Sequence, residues 1–267
     1  MEIAYLLLAG IIGGFFAGLL GIGGGIIYIA ILPYVLRPYF SNPDELVAAV
    51  IANSILATFF AAVMAVYRQY KNQNYFFRQY LYIGIPGAIV SIVIFKFIVA
   101  GQNYSFQAFN IFIIAILLFL LIRHFFLKKS NAIGEKKMKP WNYLFIGSSG
   151  GILSSLSGLG GGAIVVPLLL FISRMDIKKA TSISMGFILI SSLLLSLYNF
   201  IEFGIYSPQE GSGLIVLQKI VPLIIGVILS AQFGVATAKR ITSSQLTIVF
   251  IVFVLLVMAS RINDLIG

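Results

Sequence analysis

Apolar residues fill most of the chain in long uncharged runs, and the polar and charged positions fall in short clusters between them. Several of these runs reach 18 residues or more, the length of a membrane-crossing helix. Reading each run as a helix predicts ten segments. Five lie at about 3–20, 26–37, 45–67, 78–100 and 105–127, and five at about 141–157, 163–173, 180–199, 215–237 and 244–261. The second segment of each set is about a dozen residues. It measures roughly 18 Å as a helix, short of a bilayer core of about 30 Å, so it is a half-helix or a steeply confined one.

The two sets of five are copies of one pattern. A shift of 137 positions superposes Gly13, Gly14, Leu19, Gly21, Gly23, Gly24, Gly25 and Ile27 on Gly150, Gly151, Leu156, Gly158, Gly160, Gly161, Gly162 and Ile164. With small changes of offset in loops, Ala49, Asn53 and Tyr67 pair with Ala180, Ser184 and Tyr198, and Gln107 and Arg123 with Gln245 and Arg261. The chain is thus one duplicated unit, with repeats at 1–127 and 141–267 joined by a basic linker at 128–140. The apolar N-terminus has the look of a signal peptide, but it carries Glu2 in place of a basic start and no small-residue cleavage site. A cleaved leader would not recur at the start of the second half.

Composition settles the solvent: 60% of residues are hydrophobic, 10% are charged, and the mean hydropathy is +1.04. The fold class is an all-α polytopic membrane protein. The net charge of +10 is not a nucleic-acid surface, because its lysines and arginines sit in short connections between apolar runs. With no cysteine and one histidine, neither thiol chemistry nor a Cys-ligated metal is available, and no cofactor is implied. The connection holding Arg68, Lys71 and Arg78 carries +3, the stretch from Arg123 to Pro140 +5, Arg174 to Lys179 +2, and Lys239 with Arg240 +2. The other connections are neutral or carry −1. Placing all four positive connections in the cytoplasm requires an odd number of crossings per half and both termini outside. The halves would then be inverted-topology repeats, a plan that secondary transporters use, with broken or re-entrant helices meeting near the membrane midplane.

The breaks are the Gly-rich motifs "GIGGG" at 21–25 and "GLGGG" at 158–162. Close helix packing uses glycines four apart, as in Gly14 and Gly18, whereas contiguous glycines break a helix. A half-helix starting at Gly25 or Ile26, and its partner at Gly162 or Ala163, would present free N–H groups and the positive end of the helix dipole to a small anion. The eight carboxylates all fall at segment ends or in loops, so no buried acid offers a cation site or proton relay. The basic residues also read as peripheral, with Lys96 nearest a span interior. Candidate binding residues are therefore Gly21, Gly23, Gly24, Gly25, Gly158, Gly160, Gly161 and Gly162 for backbone donors. Asn53, Ser54, Thr181, Ser182 and Ser184 are the side-chain candidates, with Asn53 and Ser184 paired by the repeat. "GLGGGA" also fits a loose dinucleotide pattern, but no strand precedes it.

The doubled glycine motif, "ANSI" at 52–55 with "ATSIS" at 180–184, and the basic linker together resemble the sulfite exporter TauE/SafE family, a group of membrane permeases. The resemblance covers nearly the whole chain. It implies a bacterial inner-membrane transporter for sulfur-containing anions such as sulfite, thiosulfate or organosulfonates, with a co-transported proton or sodium ion as one coupling option. In the first half Asn53 stands where Thr or Ser is more usual, and Ala30 where the second half has Pro167. A passive anion channel with the same site is an alternative. A membrane-embedded enzyme is another, although His124 at a basic segment end offers little catalytic equipment.

Overall fold

The computed structural model describes residues 2–21, 23–101, 103–126, 136, 138–207, 212–238 and 243–266. Most of the linker at 128–140 and the connection holding Lys239 and Arg240 lie outside the described residues. The described residues form ten α-helices. They are α1 (Glu2–Leu20), α2 (Gly25–Leu36), α3 (Pro43–Lys71), α4 (Phe77–Ile94), α5 (Phe106–Phe126), α6 (Pro140–Ser157), α7 (Gly162–Ser173), α8 (Ile177–Glu202), α9 (Leu217–Ala238) and α10 (Ser243–Ile266). A π-helical turn at Phe95–Val99 prolongs α4. The ends follow local chemistry. Asn42 accepts the Asp44 N–H at 2.9 Å ahead of Pro43, Asp44 and Glu45, and α3 closes with Arg68 and Lys71 at its negative pole. Asp176 does the same for α8 by accepting the Lys178 N–H at 3.0 Å.

Five of the helices are long and apolar enough to cross a membrane: α1, α3, α4 with its π turn, α8 and α9. Among them α3 and α8 form the buried centre, with 83% and 67% of their apolar stretch enclosed, against 39–44% for the other three. The outward surface is apolar as well, with Phe97, Trp141, Phe171 and Phe233 all more than 60% exposed, which suits contact with lipid chains.

Packing exchanges consistently between the halves. α1 lies along α9 and α6 along α4, while α2 lies against α3 and α7 against α8. Gly10 abuts Leu223, Gly14 abuts Val227 and Gly18 abuts Ala231, so α1 and α9 advance in the same direction. The glycines let the backbones touch, because a Cβ at Gly10 or Gly18 would strike a carbonyl of α9. Likewise α4 and α6 run together, with Gly87 against Gly147 and the Ser91 hydroxyl donating to the Gly151 carbonyl at 3.0 Å. The central pair α3 and α8 runs oppositely. Gln69 meets Ser182 at one end of the pair, and Thr58 and Ile188 border the same glycines at its middle.

The short second segments are observed as α2 and α7, each 12 residues. Each folds back on the helix before it. Gly24 sits beside Gly13 and Ala17, with the Tyr28 ring on Gly13, and Gly161 sits beside Gly150, with Val165 on the same residue. The chain therefore enters, turns at the glycines and doubles back.

A charge reading changes here. Arg261, expected at a periphery, is fully buried in α10. Its Nη1 lies 2.9 Å from Asp264 and donates to Asn110 at 3.4 Å, and its Nη2 donates to the Ala30 carbonyl at 3.3 Å. Sequence position put Arg261 near a segment end. Burial came from α2 and α5, which pack over it.

A candidate site where two glycine turns meet

The two turns carry the same backbone. Gly21, Gly23 and Gly24 have φ of 72, 88 and 69°, and Gly158, Gly160 and Gly161 have 72, 81 and 74°. Each value lies in the left-handed region, which costs a residue with a Cβ about 1–2 kcal/mol. Three such residues in five explain why the motif is glycine and why it cannot continue a helix. The turns also meet. A side chain on Gly25 would run into the Gly158 carbonyl, and one on Gly162 into the Gly21 carbonyl. All eight described candidate glycines are buried.

Gly24 and Gly161 serve as the N-caps of α2 and α7, and neither helix start receives a side-chain hydrogen bond. The Ile27 and Ile164 N–H groups bond back to the Gly24 and Gly161 carbonyls at 3.0 and 3.2 Å, so the N–H groups that no side chain caps are those of the first two residues of each helix, at the positive end of its dipole. Two carbonyls at the same place are already engaged. The Ser54 hydroxyl donates to Gly158 at 2.8 Å, and the Ser184 hydroxyl donates to Gly21 at 3.1 Å. These bonds fix the structural correspondence between the halves as Ser54 with Ser184. The sequence pairing of Asn53 with Ser184 is off by one residue, because the connections between the glycine turns and α3 or α8 differ in length.

The side-chain candidates divide into two groups. Ser54, Ser184 and Thr181 border the turns, Thr181 with its methyl against Gly21. Asn53 and Ser182 do not. The Asn53 amide donates to the Ala49 and Leu214 carbonyls at 2.7 and 2.8 Å and accepts the Val216 N–H at 3.2 Å, pinning the connection before α9 to α3. Ser182 lies 2.9 Å from Gln69 Oε1, 2.6 Å from the Asn74 carbonyl and 2.8 Å from the Tyr80 hydroxyl, joining the ends of α3, α4 and α8.

One central residue was missed. Thr58 is fully buried, and its methyl contacts the space where a Cβ on Gly23 or Gly160 would lie, at 2.8 and 2.6 Å. Its hydroxyl has no hydrogen-bond partner among the described residues. Its counterpart across the halves is Ile188, which borders the same two glycines. The signal was available: Thr58 follows Ser54 by one helical turn on the same face of α3.

The arrangement leaves donors uncommitted at an enclosed point. Helix starts without a side-chain cap and the buried Thr58 lie beside a junction where two of the nearby carbonyls are already occupied.

Comparison with known proteins gives the family. The profile of the family described as Sulfite exporter TauE/SafE matches residues 6–261. A probable membrane transporter protein of Methanocaldococcus jannaschii is 27% identical over 247 residues, spanning 91% of this chain and 89% of the relative. One from Haemophilus influenzae is 26% identical over 257 residues, with 94% of each chain covered. The probable membrane transporter protein YunE of Bacillus subtilis is 26% identical over 215 residues, 72% of this chain and 76% of its own.

Proposed function

The chain belongs to the sulfite exporter TauE/SafE family of membrane transporters, and on that premise we propose that it carries a small sulfur-containing anion such as sulfite, thiosulfate or an organosulfonate. The observation that carries this reading is the junction of the two glycine turns, where two helix starts without a side-chain cap meet beside the buried Thr58, whose hydroxyl has no partner among the described residues. Helix starts hold anions by aligned N–H groups and dipole, without a positive side chain. Such a site suits transport, since binding stays weak enough for release.

Movement is by alternating access of two inverted halves. Helix directions support the inversion. Corresponding helices α3 and α8 run oppositely, while α1 runs with α9 and α4 with α6, which two halves of the same orientation would not produce. The loop charges support placing the Arg68–Arg78 connection in the cytoplasm and both termini outside, in a bacterial inner membrane. In this scheme Ser182 with Gln69 and Tyr80 closes the inner end of the α3 and α8 pair, and Asn53 with Leu214 and Val216 closes the outer end. Each cluster would break in turn.

The test is calorimetric binding of sulfite, thiosulfate, sulfate, ethanesulfonate and chloride to the purified full chain and to Thr58→Val. Saturable binding of a sulfur oxyanion that the variant weakens supports the site. Absence of binding to every anion overturns it.

A further inference from the structure

A cavity lies at the far end of α2, about 18 Å along that helix from the glycine turn. There the last turn of α2, the connection to α3, the start of α5 and the end of α10 line a partly open space of about 160 Å³. Its walls are of two kinds. Phe40 and Phe106 supply apolar surface, and Tyr34, Arg37, Ser41 and Asp264 supply polar groups.

The charges in these walls do not cancel. Asp264 is already engaged twice, by Arg261 at 2.9 Å and by the Tyr34 hydroxyl, which donates to its Oδ1 at 2.8 Å. The buried Arg261 guanidinium also sits 5.7 Å from the centre of the Tyr34 ring, so carboxylate, ring and guanidinium form one neutral set. Arg37 forms no ion pair among the described residues, and the neighbouring Asp44 carboxylate accepts the Phe106 N–H at 3.2 Å, so the unpaired cation of the cavity walls is the Arg37 guanidinium, with Ser41 also lining the cavity. A guanidinium offers a planar fork of donors suited to a sulfonate or carboxylate.

We propose that this cavity is a binding site for a short organic acid. Its sulfonate or carboxylate pairs with Arg37, and its few-carbon body packs on Phe40 and Phe106. The site is separate from the glycine junction and does not rest on the transport reading. Inorganic anions lack the apolar body, so the cavity favours ethanesulfonate over sulfate.

The experiment titrates ethanesulfonate, sulfate and ethylammonium into the full chain in detergent, and into Arg37→Gln, Ser41→Phe and Thr58→Val. Arg37 and Ser41 are exposed, so both variants are expected to keep the wild-type melting temperature. The expected result is an ethanesulfonate isotherm with a component beyond that of the glycine junction, which Arg37→Gln weakens at least tenfold and Ser41→Phe abolishes, which Thr58→Val leaves unchanged, and which ethylammonium does not reproduce. An isotherm lost in Thr58→Val but intact in Arg37→Gln puts the ligand at the glycine junction and overturns the second site. So does the absence of ethanesulfonate binding, or tighter binding of ethylammonium.

Discussion

Replacing Thr58 by valine exchanges a hydroxyl for a methyl of nearly the same shape, at a fully buried position where that hydroxyl has no partner among the described residues. The change separates stability from function. In the empty protein a buried hydroxyl without a hydrogen bond is unfavourable by about 1–3 kcal/mol, so valine is expected to raise stability by up to that amount. With an anion bound, the same hydroxyl would donate a charge-assisted bond worth about 1.5–3 kcal/mol, and its loss weakens binding roughly 10- to 150-fold. The assay is a paired measurement in one detergent: thermal unfolding without ligand, and calorimetric titration of the oxyanion that the wild type binds best. A variant that melts higher and binds more weakly is the expected outcome. Equal dissociation constants in the two proteins refute the assignment of Thr58 to the site. A lower melting temperature refutes the claim that its hydroxyl is unpaired.

Other consequences are as direct. Asn53→Ala removes the two hydrogen bonds that pin the connection before α9 and leaves buried backbone groups of Leu214 and Val216 unpaired, so it should cost about 2–4 kcal/mol in a denaturation series. If Asn53 were instead a ligand contact, binding would fall with little loss of stability. Asp264→Asn strips the buried Arg261 of its counter-charge and should destabilise the chain by about 3–5 kcal/mol, whereas Arg261→Met with Asp264→Asn should recover much of that loss on the same measurement. Gly18→Val drives a side chain into the Ala231 carbonyl and should separate α1 from α9, seen as loss of the folded peak on size exclusion; a folded variant of unchanged melting temperature would show that the contact is dispensable. Substrate flux in liposomes should saturate at modest turnover, since the junction is enclosed; flux that rises linearly with concentration would mean a channel.

How much was legible before the fold depended on the kind of information. The helices and the half-length of α2 and α7 were readable because apolar run length and glycine placement are local properties, set by the solvent and by φ. The chemistry of the turns was readable for the same reason: contiguous glycines have few other uses in an apolar chain. Partner choice was not. Asn53 and Ser182 are polar residues on buried helices like Ser54 and Ser184, and nothing in their neighbours along the chain says that two of them close the ends of the helix pair while the other two hold the glycine carbonyls. That division is made by which helix crosses at which height, a property of the packing. Arg261 shows the same limit from the other side. Its sequence neighbours place it near a helix end, where an arginine ordinarily reaches solvent, and only the approach of Ala30, Tyr34 and Asn110 from α2 and α5 encloses it beside Asp264. Sequence alone determined that this chain lives in a membrane and breaks its helices at two glycine turns. The tertiary structure decided that the turns face one another across Thr58, because the contact between distant helices depends on crossing direction and register, and neither is written in any one segment.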